Sequence, residues 1–147
     1  MNMVKRLFTV LFATVAIAAA CSDEGRNVPF TEARNYFVRN DAVLPLESPV
    51  ICSQAELDSL FGMAAVMGRN GRPTDIDFDR EFCVAYVIPP TDTLTEIVPV
   101  SVTSKGKELT CNFQIKKGDP ITWTIQPFSL IVIDRSYFKK QVKVKVN

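Results

Sequence analysis

The sequence predicts an α+β fold, with one helix packed on a mostly antiparallel β-sheet that curls into a sandwich or an open barrel. Three observations lead to this prediction. One segment alone has the apolar spacing of a helix, and the other apolar runs are short or alternate with polar residues between Gly-, Pro- and Asp-rich turns. Removal of an N-terminal targeting segment would leave 127 of the 147 residues, the size of one domain. One helix cannot cover six or seven strands, so the sheet is expected to curl.

The predicted helix covers residues 54–67. Ser53-Gln54-Ala55-Glu56 has the capping-box pattern, in which Ser53 and Glu56 each satisfy a backbone amide of the other. Four apolar residues follow with the spacing of one buried helix face: Leu57, Leu60, Phe61 and Ala64. Gly68 supplies the C-terminal stop, and Met63 and Met67 are expected to fill the core.

The remaining apolar runs predict strands. Phe82–Ile88 and Phe128–Ile133 are continuously apolar and are expected to lie centrally, while Val142–Val146 alternates with lysines as an edge strand does. A hairpin is predicted with a turn at 104–107, and a second turn at Lys116–Pro120 precedes another alternating run. The predicted strands not yet named lie within 28–39, 50–52, 97–103, 109–115 and 121–125.

The first twenty residues form a targeting segment. Lys5 and Arg6 are followed by the apolar run Leu7–Ala20, which is shorter than the roughly 20 residues of a membrane-spanning helix. Ala18-Ala19-Ala20-Cys21 is similar to the lipobox of bacterial lipoproteins, in which the cysteine receives diacylglycerol before cleavage on its N-terminal side. An ordinary secretory signal cleaved after Ala-x-Ala is the alternative. We expect residues 1–20 to be a lipoprotein signal peptide and Cys21 to carry the lipid, which anchors the chain to the membrane.

The residues after Cys21 bear on location. Ser22 differs from the aspartate that retains lipoproteins in the inner membrane of enteric bacteria. Ser22-Asp23-Glu24 is also similar to the surface-export signal of some gut anaerobes, although a solvated acidic linker has the same composition. We expect an outer-membrane lipoprotein, with display on the cell surface left open. Residues 21–27 are interpreted as a tether and residues 28–147 as a single α+β domain.

Charge and residue types exclude several function classes. The 17 basic and 16 acidic residues are nearly balanced, which gives no electrostatic case for binding of nucleic acid or of an anionic membrane. The chain has no histidine, which excludes Ser-His-Asp and Cys-His catalysis and His-ligated zinc or haem. Three cysteines remain besides Cys21, with no CxxC pair: Cys52, Cys83 and Cys111. Two interpretations stay open for them, small buried hydrophobes or one disulfide, for which Cys83 and Cys111 are the best pair.

Two charged motifs are expected to be solvated surface. Asp75-Ile76-Asp77-Phe78-Asp79 has alternating carboxylates, but the sixth and twelfth positions of an EF-hand loop would be Arg80 and Tyr86, which breaks that pattern. We interpret it as the entrance to a strand, with its two apolar residues inward. Lys139, Lys140, Lys143 and Lys145 form a basic cluster without interleaved aromatic residues, as on a solvated edge. No metal or other cofactor is expected.

The candidate binding residues follow the predicted strand 82–88. Pro89, Pro90, Thr91, Asp92 and Thr93 are interpreted as a polar loop leaving a buried strand. The prolines stiffen this loop, and a stiff loop on a rigid scaffold is a common way to present a contact surface. A plain turn between strands is the alternative.

Between Ile51 and Asp134, the chain resembles the C-terminal domain of PrcB-type proteins, small lipoproteins that associate with a secreted protease complex and stabilise it. The resemblance rests on the order of strand, capped helix and hairpins, on Ile76-Asp77-Phe78-Asp79-Arg80-Glu81-Phe82, and on Gln126-Pro127 before the apolar run 128–133. It implies a non-enzymatic protein that binds a protease. Family members carry a Gly-Gly-Tyr-like turn where this chain has residues 89–93, so the resemblance implies the fold more than it implies a particular protease.

Two function classes follow. The first is a membrane-anchored accessory module that binds an exported protease or another envelope protein and stabilises or inhibits it. The second is a small-ligand or glycan binding component of a surface uptake system. The prolines at 89–90 and the scarcity of exposed aromatic residues, with Trp123 as the only tryptophan, favour the first class.

Overall fold

A computed structural model describes residues 25–147; residues 1–24, which include the predicted signal peptide and Cys21, lie outside the described part. The described chain forms ten strands, one α-helix and a 3-10 turn at Arg135–Tyr137. The helix α1 is Gln54–Leu60. The strands are β1 Arg26–Asn27, β2 Phe30–Glu32, β3 Tyr36–Val38, β4 Val50–Ile51, β5 Phe61–Met63, β6 Glu81–Val87, β7 Thr91–Lys105, β8 Glu108–Ile125, β9 Phe128–Asp134 and β10 Gln141–Val146.

Two four-stranded sheets pack face to face as a sandwich. Sheet A has the order β1-β7-β8-β10 and sheet B the order β2-β9-β6-β4. Each described strand pair is antiparallel except β8 with β10, which is parallel. Helix α1 and the small β3–β5 ladder form a third layer on the far side of sheet B. The predicted α+β class is confirmed, with a sandwich rather than an open barrel.

One long hairpin, bent back on itself, builds most of this sandwich. β6 pairs with β9 from Glu81↔Asp134 to Val87↔Phe128, and β7 continues the same antiparallel pairing with β8 from Thr91↔Ile125 to Lys105↔Glu108. The hairpin closes at Gly106–Lys107, where Gly106 has a φ of 55°, a left-handed conformation that favours glycine. We call Gly106–Lys107 the tip and the bend at Ile88–Pro90 and Gln126–Pro127 the corner.

Folding the hairpin at the corner brings its two halves together around an inter-sheet core. Phe82 and Val84 of β6 and Ile131 and Ile133 of β9 face inward from sheet B. Sheet A contributes side chains that are at most 3% exposed: Ile97, Val102, Leu109, Cys111 and Phe113. The rings of Tyr86 and Phe113 stack across the sandwich at 5.8 Å between centroids. Because β6 and β9 bury both faces, their sequences are largely apolar, as predicted, and Ser129 is a buried polar exception within β9.

The opposite face of sheet B carries the third layer. Cys83 and Ala85 of β6 and Leu130 and Val132 of β9 pack with Ile51, Leu57 and Phe61. The start of α1 has the predicted cap, with the Glu56 N–H donating to Ser53 Oγ at 3.2 Å. The Glu56 carboxylate accepts from the N–H of Cys52 at 2.8 Å, one residue before the predicted partner.

The helix is shorter than the predicted 54–67. It ends at Leu60, and Phe61 takes an extended conformation that begins β5. The reason is the pairing of β5 with β3, which places the Phe37 ring over Gly62, where a side-chain carbon would lie 2.3 Å from the Phe37 ring carbon Cζ. Gly68 therefore does not end the helix. The prediction that Met63 and Met67 fill the core was also wrong, since both side chains are exposed.

Two further boundaries differ from the prediction. Arg26–Asn27 form β1 and pair with Thr103–Ser104, so these residues of the predicted tether belong to the domain. The turn predicted at Lys116–Pro120 is absent: β8 runs on through Ile125, because Gly118, Asp119 and Pro120 are accommodated as irregularities in the ladder with β7. β10 is the predicted edge strand, with Val142 and Val144 against the inter-sheet core.

Candidate functional site

Prolines interrupt the ladder at the corner and explain the bend. Pro89 and Pro90 on one strand and Pro127 on the other have no N–H to donate, so regular pairing cannot continue through them. Two hydrogen bonds hold the corner instead. The Ile88 N–H donates to the Pro127 carbonyl at 3.2 Å, and the Gln126 side-chain amide donates to the Ile88 carbonyl. The corner is therefore a fixed bend, and the side chains of Pro89 and Pro90 are exposed on it.

The predicted loop 89–93 is divided by this geometry. Pro89 and Pro90 lie between strands, whereas Thr91, Asp92 and Thr93 form the first residues of β7. The Asp92 carboxylate accepts a hydrogen bond of 2.6 Å from Thr124 Oγ1 on β8, and Thr91 Oγ1 accepts from the Thr93 N–H at 3.2 Å. The sequence interpretation was wrong in treating all five residues as one loop. The structure nevertheless keeps them together at one end of the molecule.

The ladder next to the corner is strongly irregular. Thr91 pairs with Ile125 and Thr93 with Pro120, so four residues of β8, Ile121–Thr124, oppose Asp92 alone. Closer to the sandwich, Gly118 and Asp119 oppose Leu94. Such bulges bend a strand and re-aim its side chains. We call Thr91–Glu96 with Lys116–Ile125 the bulged ribbon.

The bulged ribbon turns two large apolar side chains outward. Leu94 is 55% exposed and Trp123 is 61% exposed. Leu94 lies against Gly118, where a side-chain carbon would be 3.3 Å from its Cδ2. The expectation of few exposed aromatic residues does not hold at Trp123, whose place in an alternating run gave no sign of its exposure. The sequence feature that could have indicated this exposure is the run Gly118-Asp119-Pro120, whose residue types are typical of bulges and turns.

Both outer edges of the bulged ribbon lack a neighbouring strand within residues 25–147. β1 covers β7 only at Thr103–Ser104, and β10 covers β8 only at Glu108–Phe113. Backbone N–H and C=O groups at an open edge can pair with an added strand. The corner and the bulged ribbon thus combine exposed apolar side chains, a stiff bend and open backbone edges, which are the features of a protein contact surface.

The acidic segment 75–79 is a loop and turn that leads directly into β6 at Glu81, so its interpretation as the entrance to a strand is confirmed. Its apolar residues Ile76 and Phe78 are half-buried against the third layer, and its three aspartates are exposed. The Asp77 carboxylate accepts from the Asp79 N–H at 3.0 Å, and the Glu81 carboxylate accepts from the Asp77 N–H at 3.1 Å. These carboxylates cap the turn. Within the described chain, no three His, Cys, Asp or Glu side chains come together in a group that could hold a metal.

The three described cysteines are free thiols. Cys83 lies in the third-layer cluster and Cys111 in the inter-sheet core, so the pairing considered from the sequence does not form. Burial raises the pKa of each of these two thiols to about 12. Burial, together with the hydrogen bond to Glu56, also raises the pKa of Cys52. Protonated thiols are poor nucleophiles, so these positions do not suit nucleophilic catalysis.

A concave region lies beside α1, away from the corner and the bulged ribbon. It is a cleft of about 790 Å³ between the segment 39–50 and the helix. Its walls include Val43, Leu46 and Leu60, with Arg39 and Asp41 at its polar side, and those two form an exposed ion pair at 2.9 Å. The cleft is open and mixed in character, and it lies in the third layer.

Comparison with protein-family models, with characterised proteins and with solved structures gave no match. None of the helices among residues 25–147 combines the length and apolar character needed to cross a membrane.

Proposed function

We propose that the protein is a membrane-anchored lipoprotein of the outer membrane that acts as a non-enzymatic, protein-binding accessory module. In this proposal Cys21 carries the lipid, and the corner with the bulged ribbon is the contact surface. Its partner is another envelope protein, with an exported protease as the partner that the PrcB-type resemblance implies. Binding would stabilise or inhibit that partner.

The observation that carries the proposal is the exposure of Leu94 and Trp123 on the bulged ribbon, next to the proline corner. Tryptophan is enriched among the residues that dominate binding energy at interfaces. The corner is fixed before binding by the Ile88–Pro127 and Gln126–Ile88 hydrogen bonds. Less ordering entropy is therefore lost when a partner docks.

The position of the surface in the fold agrees with an anchored protein. Asn27 and Arg26 of β1 pair with Thr103 and Ser104, near the tip, so the tether enters the domain there. Ser104 lies thirteen residue steps along β7 from Thr91 at the corner. At about 3.3 Å per residue this is about 40 Å. A lipid on Cys21 would leave the contact surface facing away from the membrane.

The non-enzymatic part of the proposal follows from the chemistry of the side chains. General-base activation by histidine is excluded by the sequence. The raised pKa values of Cys52, Cys83 and Cys111 keep these thiols protonated at neutral pH. A protein that acts by contact requires neither a general base nor a reactive thiol.

A second candidate function, binding of a small ligand or glycan in a surface uptake system, is favoured by the cleft beside α1. Its apolar walls and polar rim suit an amphipathic ligand. The substitution Leu46→Arg would fill the cleft without touching the corner. Loss of function in that variant, with the contact surface intact, would favour this candidate.

Site-specific crosslinking tests the proposed contact. A photoreactive phenylalanine analogue is placed at position 123 or, as the matched control, at position 37, where Phe37 is 48% exposed on the third layer. Irradiation of intact cells should give a covalent adduct with one envelope protein from position 123 and none from position 37. Equal adducts from both positions, or none from position 123, would remove the bulged ribbon from the contact.

The anchor has its own test. The substitution Cys21→Ser should abolish labelling by palmitate, because the sulfur that receives the lipid is removed. The expected product is soluble or unprocessed protein. Continued labelling of the variant would show that Cys21 is not the lipidation site.

A further inference from the structure

The lysines are concentrated in one part of the fold. All eight lysines of the described chain lie between residues 105 and 145, in sheet A and its connections. Six of them are grouped towards the tip and along β10, with Arg26 of β1 nearby: Lys105, Lys107, Lys139, Lys140, Lys143 and Lys145. We call these seven residues the basic end.

Contacts of the described residues bring the lysines of β10 and of the tip together. The Lys140 ammonium donates to the Gly106 carbonyl, and the Gln141 N–H donates to the Lys107 carbonyl at 2.8 Å, which brings the start of β10 against the tip. Lys143 forms an ion pair with Glu108. The hydrogen bond and charge of Lys143, with the charges of Lys145 and Lys105, lower the pKa of Glu108.

The chain enters the domain at this same end. A side-chain carbon at Gly25 would lie 3.4 Å from Cβ of Thr103 and 3.6 Å from Cβ of Lys105. Cys21 precedes Gly25 by four residues, which span at most about 14 Å when fully extended. A lipid on Cys21 would therefore hold the basic end close to the bilayer surface. The Debye length at physiological ionic strength is about 8 Å, so the lysines nearest the surface would still sense its charge.

The charge balance at this end is strongly positive. Glu108 is the acidic residue that the contacts place among these seven basic residues, as the ion-pair partner of Lys143, and the tether adds Asp23 and Glu24. The excess remains four positive charges, although the whole sequence carries only +1. Anionic lipid headgroups are the complementary charge that the tether would bring within reach.

We infer that the basic end binds the anionic phospholipid headgroups of the leaflet that holds the anchor, so that the domain stands on the membrane with its corner pointing away. The inference rests on the lipid anchor of the proposed function, and it adds a second, electrostatic contact to that anchor. It assigns to the lysines an orienting role that a lipid anchor alone could not fill.

Vesicle binding by the full mature chain with Cys21→Ser tests the inference without the lipid. Vesicles with about 30% phosphatidylglycerol in phosphatidylcholine should bind the chain at low salt, and phosphatidylcholine alone should not. Each lysine close to an anionic surface strengthens binding by about fivefold. The pair Lys107→Gln and Lys139→Gln should therefore weaken binding by about 25-fold.

The matched control is the pair Lys116→Gln and Lys117→Gln. It removes the same number of positive charges. The two lysines pair with Glu96 and Thr95 in the bulged ribbon, far from the tip. This pair should change binding by less than about threefold. Equal losses from the two pairs, or equal binding to neutral vesicles, would overturn the inference. Raising the salt from 50 to 300 mM should release the unsubstituted chain, which tests the electrostatic basis without any substitution.

Trp123 reports the orientation directly, because it is the only tryptophan and lies at the far end from the tip. In vesicles that contain anionic brominated lipid, the fluorescence of the bound lipidated chain should stay unquenched by the lipid. Quenching of Trp123 by the brominated lipid would contradict the orientation. Crosslinking at position 123 and vesicle binding by the basic end can fail separately, so the two results distinguish the contact proposal from this inference.

Discussion

The two ends of the bent hairpin differ although the same two strands build both. Near the tip, β7 and β8 keep one register from Ser101↔Asn112 to Lys105↔Glu108, and β1 and β10 flank them. Near the corner, four residues of β8 oppose one residue of β7, and within residues 25–147 no strand flanks either edge. The inward side chains are fully buried at the first end, while Leu94 and Trp123 point into solvent at the second.

The difference shows what fixes strand register. A one-residue slip between Leu109 and Phe113 would turn three fully buried side chains to solvent, so packing specifies the pairing there. In the bulged ribbon Thr95 is the one buried residue, so packing specifies the pairing less strictly there and extra residues fit. The exposed surface of this end is therefore available for a partner.

The largest expected effect is a difference in unfolding free energy between substitutions at the two ends. Phe113→Ala removes a fully buried ring that stacks on Tyr86, and it should lower the free energy of unfolding by about 3–5 kcal/mol. Trp123→Ala removes a larger side chain that is mostly exposed, and it should change that free energy by less than about 1 kcal/mol. Urea denaturation of both variants measures the difference. Similar losses in the two variants would mean that the bulged ribbon belongs to the core.

The buried thiols give a smaller effect with a defined pH range. Burial raises the pKa of Cys83 and Cys111 to about 12 in the folded chain, against the ordinary thiol value of 9.0. Between these pH values the unfolded state binds fewer protons, so the free energy of unfolding falls as the pH rises above about 9. The expected loss is about 1 kcal/mol per thiol at pH 10.

Urea denaturation at pH 8 and pH 10 checks this expectation. The control is the double variant Cys83→Ala and Cys111→Ala, which should be less stable at pH 8 but should lose less stability between the two pH values. No other titratable side chain is substituted in the double variant, and Tyr36 is the side chain whose pKa is raised in part by Cys83, so the comparison reports chiefly on the thiols. The same pH dependence in both proteins would contradict the raised pKa values of these two buried thiols.

The smallest expected difference in stability is between alanine substitutions at two glycines, one at each end. Gly106 has a φ of 55° in the tip, so Gly106→Ala should cost about 1 kcal/mol of stability. At Gly118 the new side-chain carbon would meet the flexible end of the exposed Leu94 at 3.3 Å, and Gly118→Ala should cost less than about 0.5 kcal/mol. Thermal unfolding of the two variants compares them. A larger cost at Gly118 would show that the bulge is as tightly specified as the tip.

Much of the fold could be predicted from local patterns. The largely apolar runs of β6 and β9 reflect burial on both faces, and the alternation at Leu109, Cys111 and Phe113 gives the inward face of β8. The edge position of β10 follows from its alternating valines and lysines. The cap at Ser53 followed from the spacing of two residues.

The errors have a common physical cause, which is the pairing of segments distant in sequence. Phe61 fits the apolar face of a longer helix, but β3 takes it into a ladder with Val38. Gly118-Asp119-Pro120 would make a turn in isolation. In the fold, pairing with β7 continues on both sides of this segment, and the segment forms a bulge. The prolines at 89 and 90 were identified as part of the site, whereas Leu94 and Trp123 were not, because their exposure depends on that bulge.

The affinity for the envelope protein crosslinked through position 123 tests the contact surface most directly. Trp123→Ala should weaken binding by about 30-fold, the effect of a residue that contributes about 2 kcal/mol at an interface. The double substitution Pro89→Gly and Pro90→Gly loosens the corner and should weaken binding less than Trp123→Ala does. Its effect is the additional conformational entropy that the corner loses on binding. The control Phe37→Ala, on the third layer, should leave the affinity within about twofold. Unchanged affinity in a correctly folded Trp123→Ala variant would contradict the account.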